Sequence, residues 1–349
     1  MKQLNKRCLG RSGLEVSAMG LGCWAIGGPF SSGPGCRYPT GAPLGWGEVD
    51  DGESARAIHC ALDHGITLFD TADAYGTGHS ERVLGQALKG RRAEVLVATK
   101  FGNTYDSAKR QLTGSDVTPA YVRRACEASL ARLGTDWIDL YQLHVGDLAL
   151  EEAHEVADCL EALCDDGLIR LYGWSTDDPE RAAAFAGRPR AAAVQHDLNL
   201  FQDAPALLEI CQTHDFASIN RQPLAMGFLS GKFTASSSLP ASDIRAQPPD
   251  WLTYFEQDGR AAPAFLAKLE AIRDVLTSDG RTLVQGALAW IWARGPHTLP
   301  IPGFRTEAQV RENAAAMAFG PLTAGQMEEI ESLLGRAEEP RLCKDRGAA

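Results

Sequence analysis

Phe69-Asp70-Thr71-Ala72-Asp73-Ala74-Tyr75-Gly76 follows the apolar residues Ile66 and Leu68 and turns polar at once. Ile66–Asp70 has the length and composition of a buried strand, with Asp70 at its end. Tyr75 comes on the following loop, after small residues and a second acid, Asp73. A carboxylate at the C-terminal end of a strand, with a tyrosine on the next loop, is how a parallel α/β barrel presents chemistry. Two further strand-like runs end in the same manner: Val95–Lys100 stops at Lys100, and Trp137–Leu143 stops at His144. Asp70, Tyr75, Lys100 and His144 therefore converge on one end of the fold.

Reading outward, Cys8–Ser17 alternates weakly around Arg11-Ser12-Gly13 and predicts a hairpin cap. Ser17–Gly22 reads as the first core strand and Ile66–Asp70 as the second. Strands at 95–100, 137–143, 169–174, 192–195, 216–220 and 298–301 then alternate with helices at 53–64, 80–88, 119–133, 151–165, 179–186, 205–214, 263–277, 282–294 and 306–318. Thr118-Pro119 reads as a helix cap followed by proline in the first turn. A last helix is expected near 323–335. Eight strands alternating with helices pair in parallel and favour a closed (β/α)8 TIM barrel. The competing open, doubly wound sheet wants a glycine fingerprint leading into a helix, and the residues after Gly20-Leu21-Gly22 show no such helix. The whole chain, 1–349, reads as a single domain carrying two long inserts, 26–51 and 227–259. The first is either a functional loop or partly disordered.

The formal net charge of −11 argues against nucleic acid or an anionic membrane surface as partner. Nine cysteines without a repeating pattern do not make a disulfide framework and read as reduced thiols of a cytoplasmic protein. Met1–Cys8 is basic but leads into no apolar segment, no window has the length of a membrane span, and Lys344–Ala349 is no targeting signal. The histidines other than His144 form no ligand cluster, so no metal is expected.

A free phenol titrates near pH 10 and is a poor acid at neutrality. A neighbouring ammonium favours the phenolate, so Lys100, aimed by Asp70, is expected to lower the Tyr75 value. His144 has two readings: a hydrogen-bonded structural residue, or a neutral imidazole that orients a carbonyl oxygen. Ser175, Thr176 and Gln195 end the next two strands and suit an amide group; ordinary capping by Asp177 or Asp178 before Pro179 is the plainer alternative. Ile301–Thr306 leaves the last strand for a helix, a phosphate-binding arrangement to which Arg305 adds a forked cation. Gln309 and Asn313, one turn apart, are placed to face an adenine edge.

These blocks resemble the aldo-keto reductases over nearly the whole chain. The resemblance is carried by Gly20–Gly22, Phe69–Gly76, Ala98–Lys100, Asp139–His144, Gly173–Thr176, Val194–Asn199, Pro223–Lys232 and Ile301–Asn313. It implies a barrel that reduces a small-molecule carbonyl with NADPH and without metal, using Asp70, Tyr75, Lys100 and His144 as catalytic tetrad. The implied cofactor contacts are Gly22, Trp24, Ser175, Gln195 and Arg221, then Pro223, Leu224, Gly227, Leu229, Gly231 and Lys232 along the pyrophosphate. Gly303, Arg305, Gln309, Glu312 and Asn313 fall at the 2′-phosphate and adenine end. The substrate is expected between Trp24, the 26–51 insert, Trp174, and the second insert with Trp251 and Tyr254.

This sequence departs from many members in having Thr176 for an asparagine, Arg221 for an aromatic that stacks on the nicotinamide, and Thr306 for a second basic residue. NADPH preference then rests mainly on Arg305. The resemblance leaves other readings beside a general carbonyl reductase: a ketosugar reductase acting on nucleotide-linked sugars, and a cofactor-binding redox sensor similar to the potassium-channel β subunits. A lyase or metal-dependent hydrolase on the same barrel is a rival from outside the family. Oligomeric state is not legible in the sequence.

Overall fold

In the computed structural model, which describes residues 6–336, eight strands lie side by side in parallel. They are β1 (Leu21–Gly22), β2 (Leu68–Asp70), β3 (Leu96–Phe101), β4 (Ile138–Leu143), β5 (Ile169–Ser175), β6 (Ala191–Asp197), β7 (Ala217–Arg221) and β8 (Thr298–Pro300). The sheet closes where Gly20 N donates to Pro300 O and Gly22 N to Pro302 O, both at 3.0 Å. The barrel expected from the alternating pattern is present. The terminal segments, including Lys344–Ala349, most of Met1–Cys8 and Cys343, lie outside the described residues.

Among the described residues ten α-helices follow the predicted order: α1 (Asp51–Asp63), α2 (His79–Ala87), α3 (Pro119–Leu133), α4 (Leu150–Asp165), α5 (Pro179–Ala183), α6 (Pro205–His214), α7 (Pro263–Thr277), α8 (Leu283–Ala293), α9 (Glu307–Ala315) and α10 (Ala324–Leu333). Their starts obey local chemistry. Thr282 and Thr323 each form a reciprocal box with the glutamine three residues on, and Asp178 accepts from Arg181 N at 3.0 Å. Thr118 is an exception: its hydroxyl donates to Asp116 Oδ1 at 2.8 Å and caps nothing, so Pro119 alone starts α3.

Side chains alternate across each strand, and this period of two sorts the barrel interior into layers. Leu68, Ala98, Leu140, Ala193, Ala217, Ile219, Leu299 and Ile301 fill the lower interior with Leu9 and Val16 of the N-terminal hairpin. That hairpin pairs Lys6–Cys8 with Glu15–Ser17, as predicted. Its turn is pressed against the strand starts: a Cβ on Gly10 would lie 2.3 Å from Ala192 O, so only glycine fits. Two residues further along β2, β3, β4 and β6, on the same inward face, stand Asp70, Lys100, Gln142 and Gln195.

The sequence reading missed a second hairpin, Asn103–Asp106 with Gln111–Ser115, whose latter strand also pairs with Ser31–Ser32. These strands are polar and short, so no apolar alternation announces them. The 26–51 insert is an ordered loop. It is bonded to the 227–259 insert: Ile244 N donates to Gly45 O at 2.9 Å, Trp46 bridges Asp243, and Trp251 Nε1 donates to Tyr38 Oη at 3.2 Å. Among the described residues, no helix is long and apolar enough to cross a membrane.

Candidate active site

Above the packed layers the barrel opens into a cavity of about 2130 Å³ that runs under both inserts. At its floor Lys100 is fully buried. Its ammonium donates to Asp70 Oδ1 at 2.5 Å, Thr71 O at 2.7 Å and Tyr75 Oη at 3.3 Å. The other Asp70 oxygen accepts from Gln142 Nε2 at 3.1 Å and Gln195 Nε2 at 2.8 Å. Asp70 is thus satisfied on both oxygens, which a buried carboxylate requires.

Tyr75 and His144 are half-buried and line the cavity. The Tyr75 ring stacks on Trp24 at 5.8 Å and 17°, and meets His144 edge-on at 5.9 Å and 85°. The four ionisable residues that the strand ends predict are therefore together.

One expectation is corrected. Burial raises the Tyr75 value, Lys100 pulls it down, Asp70 raises it again, and the net lies above the ordinary phenol. Asp70 works against the phenolate, because a second negative charge nearby disfavours it. Burial works against the Lys100 charge, yet Asp70 and Tyr75 outweigh it and hold lysine cationic. His144 lies well below its usual value through burial, then the cations Lys100, Arg221 and Arg37. It is a neutral imidazole at physiological pH, with Nδ1 buried and unpartnered.

Arg221, at the end of β7, forms ion pairs with Asp177 and with Asp197, the latter at 3.2 Å. Burial raises the Asp197 carboxyl, with Arg221 opposing it, to about 6, while Asp177 is held below its usual value chiefly by Arg221 against burial. Arg221 is consequently charge-compensated. No sequence signal singled out Asp177 and Asp197 for this role, nor Gln142 beneath Asp70, although Gln142 lies within the quoted block before His144.

Gly22, Trp24, Ser175, Gln195, Arg221, Pro223, Leu224, Gly227, Lys232, Gly303, Arg305, Gln309, Glu312 and Asn313 all line the cavity. Leu229 and Gly231 do not: Leu229 is fully buried, and a Cβ on Gly231 would meet Leu283 Cδ1 at 2.6 Å. Trp174 and Tyr254 are also corrected as substrate walls, because both are buried, Trp174 Nε1 on Val145 O and Tyr254 Oη at Asn199.

The Thr176 hydroxyl donates to Gly146 O at 2.7 Å and accepts from Asp178 N at 3.2 Å, so its proton is not available to an amide oxygen. Arg305 donates to the carbonyls of Trp46 and Glu48, tying the first insert to the start of α9. Gln309 accepts from Arg305 N at 2.7 Å, closing the helix start, whereas Asn313 keeps an unpartnered buried Nδ2. The described residues hold no group of three or more His, Cys, Asp or Glu arranged for a metal ion.

The Aldo/keto reductase family model matches residues 19–334, and the chain belongs to this family of oxidoreductases. It is 30% identical over 331 residues to the aldo-keto reductase YhdN of Bacillus subtilis (strain 168), covering 93% of this chain and 91% of that protein. Among solved structures, the glycerol dehydrogenase of Gluconobacter oxydans superposes with a TM-score of 0.77 at 30% identity over 100% of both chains. An aldo/keto reductase from Klebsiella pneumoniae, in complex with NADP and acetate, gives 0.66 at 26% identity over 96% of this chain and 97% of that one.

Proposed function

We propose that the protein is a single-domain, cytoplasmic carbonyl reductase that uses NADPH to convert an aldehyde or ketone to an alcohol. The observation that carries this is the Tyr75 hydroxyl, on the cavity floor, 3.3 Å from the buried Lys100 ammonium and edge-on to a neutral His144. The cavity suits a dinucleotide. Asn313 brings an orphaned buried amide to one end, and Gly303 leaves its Cβ direction open out to 3.9 Å.

Ser175, the Gln195 carbonyl oxygen, Gly22, Trp24 and Arg221 would receive the nicotinamide end. Pro223, Leu224, Gly227 and Lys232 would line the pyrophosphate, and Gly303, Arg305, Gln309, Glu312 and Asn313 the adenosine. When bound, the cofactor supplies the hydride. Tyr75 gives its proton to the oxygen that gains charge, and Lys100 stabilises the phenolate left behind. Asp70 aims the lysine, and Gln142 and Gln195 aim Asp70. His144, being neutral, contributes a hydrogen bond without placing another cation beside Lys100.

The test is a fluorescence titration with NADPH and NADH, followed by turnover of glyceraldehyde with each. Tight NADPH binding, weaker NADH binding and NADPH consumption that matches alcohol formed are expected. Absent NADPH binding, or binding without turnover across an aldehyde panel, overturns the reading.

A further inference from the structure

The hairpin Asn103–Asp106 with Gln111–Ser115 supports a turn that brings a cation, Arg37, to the cavity wall. Gly33 N donates to Leu112 O at 2.6 Å, and a Cβ on Gly35 would lie 2.4 Å from Thr113 O. Gly35 also has φ +86°, so glycine is required there on two counts. The turn Gly33–Tyr38 is thereby laid against the strand Gln111–Ser115 and fixed to it. At its tip the Arg37 guanidinium sits 5.1 Å over the Tyr38 ring, and Tyr38 is in turn held by Trp251 Nε1 at 3.2 Å. A cation packed on an aromatic face keeps its charge while losing freedom.

The other arginines of the cavity wall are already engaged. Arg181 pairs with Asp178 at 2.6 Å, Arg245 with Asp243 at 2.6 Å, Arg221 with two aspartates, and Arg305 with loop carbonyls. Among the described residues Arg37 makes no ion pair and no side-chain hydrogen bond, and its charge is felt at His144. Lys232 also lines the cavity without an ion pair, but the proposed cofactor's pyrophosphate would occupy it, and Asp147 and Asp250 line the cavity as exposed carboxylates, which leaves Arg37 as the uncompensated arginine for a substrate anion.

We propose that Arg37 selects carbonyl substrates that carry a carboxylate or phosphate away from the reacting carbon. This rests on the reading above that the cavity takes a carbonyl. The anion would be held by the guanidinium fork while the carbonyl reaches down to Tyr75.

The experiment compares matched pairs in NADPH-dependent reduction: 4-oxobutanoate with butanal, and glyceraldehyde 3-phosphate with glyceraldehyde. Wild type and Arg37→Gln are measured, with Arg37→Lys as the conservative control. Wild type is expected to favour one anionic member by about tenfold or more in kcat/KM, and which pair shows it separates carboxylate from phosphate recognition. Arg37→Gln should lower that value by about 10- to 100-fold through KM, the range of a hydrogen bond to a charged group. It should leave the neutral member within about threefold, and lysine should restore part of the loss. Equal use of charged and neutral members by wild type, or an equal loss on both in Arg37→Gln, overturns the proposal.

A parallel titration of the NADPH-loaded protein with 4-hydroxybutanoate and with 1,4-butanediol needs no turnover. Arg37-dependent binding of the anion without reduction of any aldehyde would sink the reductase reading and support the anion seat. Equal binding of the two ligands would sink the anion seat alone.

Discussion

The Lys100 ammonium lies 2.5 Å from Asp70 Oδ1, with both side chains sealed from water. A buried pair of this kind is weak evidence for stability but strong evidence for placement, since removing one partner strands the other charge. Lys100→Met should therefore lower unfolding free energy by about 3–5 kcal/mol, measured by urea denaturation, and abolish reduction. A variant as stable as wild type would show that Asp70 is not held by Lys100.

Tyr75→Phe removes the proposed proton donor and keeps the ring on Trp24. Reduction should fall by about 10²- to 10⁴-fold, with an unchanged far-ultraviolet circular dichroism spectrum and NADPH affinity within about threefold. Activity within a few-fold of wild type would remove Tyr75 from the chemistry.

On the proposed mechanism, the acid form of Tyr75 and the neutral form of His144 are the working states for reduction. Tyr75 is raised above the ordinary phenol value by burial, so its proton is retained through pH 9. His144 is depressed by burial and nearby cations, so it is already neutral at pH 6. A pH profile of kcat/KM for reduction should run flat from 6 to 9. A fall between 7 and 9 would mean that Lys100 dominates Tyr75 after all, and a fall between 7 and 6 that His144 titrates normally.

Arg221→Leu leaves Asp177 and Asp197 facing each other without their cation. Asp197 already titrates near 6 in the folded protein, above the ordinary carboxylate, so ionising it costs folding free energy as pH rises. Without Arg221 that folded value climbs further, and Asp177 loses what holds it low. The Tm deficit of the variant should be larger at pH 8 than at pH 5, by differential scanning calorimetry. A deficit independent of pH would contradict the clamp.

The barrel and the tetrad are legible in the chain for one physical reason. Strand periodicity places Asp70, Lys100 and Gln142 on the same inward face as the apolar residues two positions earlier, and apolar runs mark those strands plainly. The Arg221 pairs with Asp177 and Asp197, and the placing of Arg37 at the cavity wall, are not legible, because long-range ion pairs and loop packing leave no periodic trace. The strands 103–106 and 111–115 are too polar to stand out, although Gly33 and Gly35 mark a close backbone approach in retrospect. Leu229 and Gly231, which the motif also carries, lie off the cavity wall, Leu229 buried and Gly231 packed against Leu283, and burial within a turn leaves no signature in the motif itself.

The hairpin formed by Lys6–Cys8 and Glu15–Ser17 gives the barrel a floor, with Leu9 and Val16 seated among the lowest interior side chains. The barrel is therefore a cup and not a tube. The cavity that reaches Tyr75 is lined by residues of both inserts, so solvent, reactant and product pass where the two inserts meet. Selectivity in such a vessel is set by its lip, so its substrate range can be rebuilt there while the base stays as it is.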